Sequence, residues 1–186
     1  MRNIIYIHGL ESTGQGFKGQ FLKNIFPEIL TPDFEPYQNS ISIKTLLKKR
    51  MLQLVTILKQ KENWIIIGSS FGGLMGATYV LTQPEKVNLV ILLAPFFGAN
   101  LINPSKFQPI DVPIVAFHGK NDLTASIKRS KSLSHILFSN LEYNIVDDDH
   151  YLHATVEKIN WIQLIGKYER DVQGYKNWTP DIFNKI

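Results

Sequence analysis

One serine in this sequence lies between glycines in the spacing Gly-x-Ser-x-Gly, formed by Gly68, Ser70 and Gly72. Residues 64–67 before it are apolar and predict a buried strand, and residues 72–81 after it predict a helix. A serine at such a strand-to-helix turn takes a strained backbone conformation, and small residues on either side let the chain pass itself. This context indicates a nucleophile at Ser70. The alternative is a glycine-rich turn with a bystander serine.

A serine hydroxyl is a weak nucleophile until a histidine, oriented by a carboxylate, takes its proton. Asp122 follows a predicted strand at 114–117, and His150 follows another at 143–146. Because the carboxyl ends of parallel strands share one edge of a sheet, we expect both side chains to meet Ser70 there. Asp122 could instead cap the helix that follows it. The alternative base is His153, one helical turn further on.

The tetrahedral intermediate of acyl transfer carries a negative oxygen, which needs hydrogen-bond donors that are already in place. One candidate is the backbone N–H of Phe71, because this residue follows the serine. The other is the N–H of Leu10, in the loop after the first predicted strand, where Gly9 lets the backbone turn. We interpret His8 as a residue that fixes this loop and not as a second base, and His118 as structural.

We expect neither a metal nor a cofactor. Three consecutive carboxylates at 147–149 precede His150 and His153, but neighbouring carboxylates do not easily face one ion. Residues 14–19 match the dinucleotide-binding spacing G-x-G-x-x-G, yet they begin several residues after the strand, and Asp33 comes too early for the ribose-binding acid. We interpret this segment as a flexible loop that enters the first helix.

The elements that must position these residues alternate between short β-branched runs and helix-length amphipathic segments. This pattern is typical of strands joined by crossover helices. It predicts the α/β class, as a three-layer α/β/α sandwich with a mostly parallel, doubly wound sheet. The predicted strands are 3–7, a weak 29–32, 64–67, 87–93, 114–117 and 143–146, and the predicted helices are 18–26, 43–61, 72–81, 124–137 and 154–168.

Two regions lack a predicted element. Residues 95–109 contain three prolines and predict a long loop after the fourth strand. In this loop Phe96 and Phe97 are candidates for an apolar wall that contacts a substrate. The tail from residue 166 contains four aromatic residues, and we expect it to pack on the body of the protein.

Composition limits the possible functions. The 186 residues are 44% hydrophobic and 19% charged, which predicts one globular domain over 1–186 and excludes disorder, collagen and coiled coil. The absence of cysteine excludes disulfides, a thiolate nucleophile and a cysteine-ligated zinc site. The net charge is +4, and the densest basic run is Lys48, Lys49 and Arg50. We interpret this run as a solvated helix face and expect no nucleic-acid partner.

The chain begins without the pattern of a signal peptide, and no stretch approaches the ~20 apolar residues that span a bilayer. We therefore expect a soluble, cytoplasmic protein that does not insert into membranes. The sequence does not predict its oligomeric state.

Three segments resemble the α/β-hydrolase superfamily, and within it the small single-domain bacterial esterases of the YqiA-like kind. Residues 6–13 are similar to the oxyanion loop of that group, residues 68–73 to its nucleophile turn, and residues 149–152 to its histidine segment. The resemblance covers nearly the whole chain. It implies a triad of Ser70, Asp122 and His150 that hydrolyses carboxylic esters or thioesters through an acyl-enzyme, without a cap domain.

These observations together predict a cofactor-free serine esterase whose partner is a small-molecule ester. The loop at 95–109 is too short to enclose a long chain, so we expect a preference for short acyl groups. One alternative is a catalytically idle protein of the same fold that binds a small ligand. Another is the same machinery acting on amide, lipid or peptide substrates.

Overall fold

The computed structural model describes residues 2–98 and 100–169, so the predicted packing of residues 170–186 lies outside the described residues. Within the described part, one parallel sheet has its strands in chain order. The strands are β1 (Asn3–Ile7), β2 (Trp64–Ser69), β3 (Val87–Leu93), β4 (Ile114–Gly119) and β5 (Leu141–Val146). The predicted α/β class is therefore confirmed, with a sheet that is parallel throughout these strands.

Six α-helices connect and flank the strands in the described residues. They are α1 (Phe17–Ile25), α2 (Ile43–Leu58), α3 (Phe71–Thr82), α4 (Ile127–Leu137), α5 (His153–Lys158) and α6 (Trp161–Glu169). The predicted helix at 154–168 is in fact the pair α5 and α6. The break occurs because Ile159 is extended and the side chain of Asn160 accepts the N–H of Gln163, which starts a new helix.

Both faces of the sheet are covered, which explains the nearly continuous apolar runs of the central strands. Successive strand residues point to opposite faces. Ile5 and Ile66 belong to a core cluster with residues of α2, α3 and α4, whereas Ile4 and Ile65 belong to a cluster with residues of α1, α5 and α6. The result is the three-layer arrangement that the alternation of elements predicts.

The weak strand predicted at 29–32 is only a single bridge beside β1. Tyr6 donates its N–H to the Leu30 carbonyl (2.8 Å), and Leu30 donates to the Ile4 carbonyl (2.9 Å). Pro32 follows two residues later and has no N–H with which to continue the ladder. The segment that contains Leu30 thus lies at this edge of the sheet. It joins α1 on one face to α2 on the other face, and β2 follows α2.

The interpretation of residues 14–19 as a flexible loop is wrong. Gly14 is buried and donates its N–H to Asp33 Oδ1 at 2.6 Å. A Cβ on Gly14 would lie 2.1 Å from the carbonyl oxygen of Thr31, so close backbone packing requires glycine at this position. Asp33, considered above as a ribose-binding acid, thus holds this packed loop.

Among the helices that the structure describes, none is long and apolar enough to cross a membrane.

Candidate active site

Ser70 occupies the turn between β2 and α3. Its backbone has φ 53° and ψ −113°, a conformation that costs a non-glycine residue about 1–3 kcal/mol. The strain is held by neighbouring segments, since Ser70 donates its N–H to Leu93 (2.8 Å) and accepts the N–H of Phe96 at its carbonyl (3.1 Å). The turn therefore projects the serine from the carboxyl edge of the sheet in a fixed direction.

The glycines on either side of Ser70 are required by close approach. A Cβ on Gly72 would lie 2.0 Å from the carbonyl oxygen of Ile7, and a Cβ on Gly68 would lie 2.5 Å from that of Gly72. Real Cβ atoms do not come so close to backbone oxygens. The Gly-x-Ser-x-Gly spacing is therefore a packing requirement of this turn.

The structure brings Ser70, His150 and Asp122 together from three separate loops. His150 Nε2 lies 3.0 Å from Ser70 Oγ, and His150 Nδ1 lies 2.7 Å from Asp122 Oδ2. The side chain of Asp122 is fully buried and that of His150 is 13% exposed. Because a carboxylate only accepts, Nδ1 carries the proton, and Nε2 is free to accept the hydroxyl proton of Ser70.

Asp122 uses its second oxygen to shape its own loop. Oδ1 accepts the backbone N–H groups of Thr124 and Ala125, each at 2.8 Å. Burial raises the pKa of Asp122, but hydrogen bonds from Ala125, His150 and Thr124 outweigh it and hold the pKa below its ordinary value. The capping alternative does not describe this residue, since α4 is capped by Ser126.

His118, which we interpret as structural from the sequence, lies against the same carboxylate. Its Nε2 is 2.9 Å from Asp122 Oδ2 and 3.1 Å from the carbonyl of Ala125, so this nitrogen carries a proton. Its Nδ1 then accepts the hydroxyl of Tyr143 at 2.7 Å. The ring is completely buried, and burial lowers the pKa of His118. The available signal was its position at the end of the strand, four residues before Asp122.

The loop after β1 is held by the buried His8. Its Nε2 accepts the N–H of Phe34 at 3.0 Å, so Nδ1 carries the proton and donates to the Gly9 carbonyl at 2.8 Å. Burial lowers the pKa of His8, in keeping with a neutral ring. With both nitrogens engaged in this way, His8 fixes the loop, as the sequence interpretation has it.

The interpretation of the basic run as a solvated helix face is wrong for Arg50. Lys48 and Lys49 are exposed, but Arg50 is completely buried beneath the same loop. Its guanidinium donates to the carbonyls of Gly9 (3.2 Å) and Leu10 (2.9 Å). A charged residue that the sequence assigned to solvent is therefore in contact with the loop beside the serine.

The two segments expected to supply the oxyanion donors lie next to Ser70. Phe71 is the first residue of α3, and N–H groups in the first turn of a helix have no partner within the helix. The loop that contains Leu10 lies close to the serine, because a Cβ built on Gly9 would be 3.6 Å from the Cβ of Ser70.

The two phenylalanines of the 95–109 loop differ in burial. Phe97 is 2% exposed and packs in the core, whereas Phe96 is half-buried. The loop is anchored to α4, since Arg129 donates to the Phe97 carbonyl (2.9 Å) and Ser130 to the Pro95 carbonyl (2.8 Å). Of the two candidates for an apolar wall, Phe96 is the more accessible.

His153 and the acidic run have other contacts. The His153 ring, at the start of α5, lies 4.3 Å from that of Phe17 between ring centres, and the two rings are tilted by 42°. Asp148 Oδ2 accepts from Thr155, and Asp149 Oδ1 accepts the N–H of Tyr151. Among residues 2–98 and 100–169, no three histidine or acidic side chains are grouped so that they could hold a metal ion.

A family model described as the alpha/beta hydrolase fold matches residues 3–108, more than half of the chain, and the protein belongs to this family. No curated protein sequence matches this chain. The structure is similar to Est1E from Butyrivibrio proteoclasticus, solved with ferulic acid, with a TM-score of 0.72 at 14% identity over 91% of this chain and 90% of that one.

Two further structures are similar. The serine hydrolase CCSP0084 from Cycloclasticus has a TM-score of 0.71 at 13% identity, covering 93% of this chain and 91% of its own. Alpha/beta hydrolase domain-containing protein 10 from mouse has a TM-score of 0.67 at 16% identity, covering 92% and 90%. At these identities the likeness establishes the fold, and the YqiA-like subtype stays a prediction.

Proposed function

We propose that this protein is a serine hydrolase that cleaves carboxylic ester bonds of small substrates with short acyl groups. The observation that carries the proposal is the line of contacts from Ser70 Oγ to His150 Nε2 (3.0 Å) and from His150 Nδ1 to Asp122 Oδ2 (2.7 Å). A strained, fixed serine, an oriented imidazole and a buried carboxylate are the groups that nucleophilic acyl transfer requires.

In the acylation step Ser70 Oγ forms a bond to the ester carbonyl carbon while its proton passes to His150 Nε2. The carbonyl electron pair moves onto oxygen, where the N–H groups of Leu10 and Phe71 would stabilise it. When the carbonyl re-forms, the ester C–O bond breaks and His150 gives its proton to the leaving alkoxide. Asp122 stabilises the transient imidazolium and keeps its own negative charge.

In the deacylation step water replaces the alcohol. His150 Nε2 accepts a proton from the water as its oxygen attacks the acyl carbon, and then returns that proton to Ser70 Oγ as the acyl–serine bond breaks. The products are a carboxylic acid and the free enzyme. A thioester would follow the same steps with a thiolate as the leaving group.

Two structural neighbours, one named Est1E and one named a serine hydrolase, support the proposal that this protein is a hydrolase. The expected preference for short acyl groups rests on the loop at 95–109. Hydrogen bonds from Arg129 and Ser130 of α4 hold residues 95–97 of this loop as a fixed wall, with Phe96 partly accessible. An acyl chain that extends past this wall is in water and gains little from each further methylene, whereas a covered methylene contributes about 0.8 kcal/mol.

The test is a panel of chromogenic p-nitrophenyl esters of increasing acyl length, with one thioester and one amide. We expect turnover of the esters, with the highest kcat/KM for the short chains. Loss of turnover in Ser70→Ala would assign the ester turnover to this site. Ser69→Ala, at the end of β2, is the matched control. A folded protein that turns over nothing would instead be the ligand-binding alternative, and a kcat/KM that rises steeply to long chains would contradict the fixed wall.

A further inference from the structure

Among the lysines and arginines of the described residues, only Arg50, at the middle of α2, is completely buried. All three of its nitrogens donate to main-chain carbonyls, those of Gly9 (3.2 Å), Leu10 (2.9 Å) and Glu35 (2.7 Å). The carboxylate of Glu35 pairs with Lys49 instead. Burial of a guanidinium costs free energy unless all of its donors are hydrogen-bonded. The groups that accept from Arg50 therefore indicate which part of the structure this side chain stabilises.

One of the three peptide groups that accept from Arg50 joins Gly9 to Leu10. The carbonyl of Gly9 and the N–H of Leu10 are the two ends of one peptide unit, which is planar and trans, so they point in opposite directions. Hydrogen bonds from Arg50 and His8 fix the carbonyl end. They thereby fix the direction of the Leu10 N–H, which points away from the guanidinium.

Arg50 also contacts the second donor residue. Its guanidinium carbon lies 5.5 Å from the centre of the Phe71 ring, a cation–π distance. Phe71 supplies the other expected oxyanion N–H, directly after Ser70. One side chain therefore contacts both of the segments that would bind the oxyanion, from a helix about 40 residues away from Leu10 in the chain.

We propose that Arg50 is a positioning residue for the oxyanion site. It holds the Gly9–Leu10 peptide and the Phe71 ring so that both N–H groups face the oxygen of the tetrahedral intermediate. It does not touch the substrate. This inference rests on the proposed function, because the oxyanion exists only if Ser70 attacks a carbonyl.

The charge is present under assay conditions. Burial lowers the pKa of Arg50 to about 10, which leaves the guanidinium protonated at neutral pH. The two carbonyls of the loop thus face a cation throughout the reaction.

The test compares Arg50→Met, which keeps much of the volume but has no donor, with Arg50→Lys, which keeps the charge but has no fork of donors. Lys48→Met is the matched control, since Lys48 is exposed on the same helix. For each protein kcat and KM on a short ester are measured per active site, counted by fluorophosphonate titration. Affinity for an alkyl trifluoromethyl ketone, whose adduct with serine carries an oxyanion, is measured as well.

We expect Arg50→Met to lower kcat on the order of 10²-fold with little change in KM, because the donors act in the transition state. Ketone affinity should fall by a similar factor. Arg50→Lys should lie between Arg50→Met and the wild type, and Lys48→Met should match the wild type. If Arg50→Met does not fold, Arg50→Lys carries the same test.

A merely structural role would lower Tm but leave kcat per titrated site and ketone affinity at wild-type values, and this result would overturn the proposal. A wild-type protein that neither turns over esters nor reacts with the fluorophosphonate would overturn the proposed function, and this inference with it. The two failures are distinguishable because the first is seen only in the variants.

Discussion

The two sides of Ser70 are built from different kinds of groups. On the relay side, which consists of His150, Asp122 and His118, side chains at the ends of β4 and β5 contact one another directly. On the oxyanion side, which consists of Gly9, Leu10 and Phe71, the expected donors are backbone N–H groups. The difference teaches that residue types and chain order can predict a relay of side chains. The direction in which a backbone N–H points depends on the side chains that bind its peptide group, which here are Arg50 and His8.

The largest effects are expected on the relay side. Ser70→Ala should lower ester kcat/KM by on the order of 10⁴-fold or more, and Asp122→Asn and His150→Ala should come within about tenfold of it, because members of a triad act as a unit. The measurement is kcat/KM on one short ester, with circular dichroism to establish folding.

His153→Ala is the matched control for the base. The His153 ring contacts that of Phe17 and not Ser70, so we expect this variant to retain most activity. An inactive His153→Ala beside an active His150→Ala would place the base one helical turn later than we propose.

A smaller effect is expected from Gly9→Ala on the oxyanion side. The new Cβ would meet Ser70 Cβ at 3.6 Å, an ordinary contact, and Gly9 has no positive φ, so the fold should tolerate it. The methyl group would nevertheless stand beside the serine, where the oxyanion must be bound, and we expect kcat/KM to fall on the order of 10²-fold. Thermal unfolding and ester kinetics measure the two effects separately.

Gly72→Ala provides the opposite case. Its Cβ would lie 2.0 Å from the carbonyl oxygen of Ile7, so we expect a marked loss of Tm.

Wild-type turnover in Gly9→Ala would show that the oxyanion is bound elsewhere.

The smallest effect concerns pH and two buried histidines, His118 on the relay side and His8, which holds the Gly9 carbonyl of the oxyanion side. Burial lowers the pKa of both below the ordinary 6.5, so the unfolded chain binds more protons than the folded one as pH falls below that value. The free energy of unfolding should therefore be constant well above pH 6.5 and fall below it, by up to about 1.4 kcal/mol per histidine at about pH 5.5.

Urea unfolding at about pH 7.5 and pH 5.5 measures this difference. His8→Asn and His118→Asn should each reduce it, whereas the exposed His135→Asn should not. Equal pH dependence in all four proteins would mean that neither buried ring resists protonation.

Much of the fold could be predicted where almost every residue of a strand is buried. β1 and β3 have the predicted bounds, since strands covered on both faces are continuous apolar runs. β5 begins two residues earlier than predicted, at Leu141. Burial in β5 is mixed, and so its sequence lacks a continuous apolar run.

The candidate site divides in the same way. The positions of Ser70, Asp122 and His150 followed from strand ends and chain order, but Arg50 was assigned to solvent with Lys48 and Lys49. Consecutive helical residues face different directions, about 100° apart, so three neighbours do not share one face. The available signal was the four-residue spacing of the buried stripe on α2, which consists of Leu46, Arg50, Leu54 and Leu58.

The central claim is that Ser70 is the nucleophile and that His150 activates it. Treatment with a fluorophosphonate followed by peptide mass spectrometry tests this claim most directly. The account predicts one adduct on the peptide that contains Ser70, located on Ser70 by fragmentation, absent in Ser70→Ala and formed far more slowly in His150→Ala. An adduct on Ser69 or on another hydroxyl, labelling that persists in Ser70→Ala, or a folded wild-type protein that does not react would contradict it.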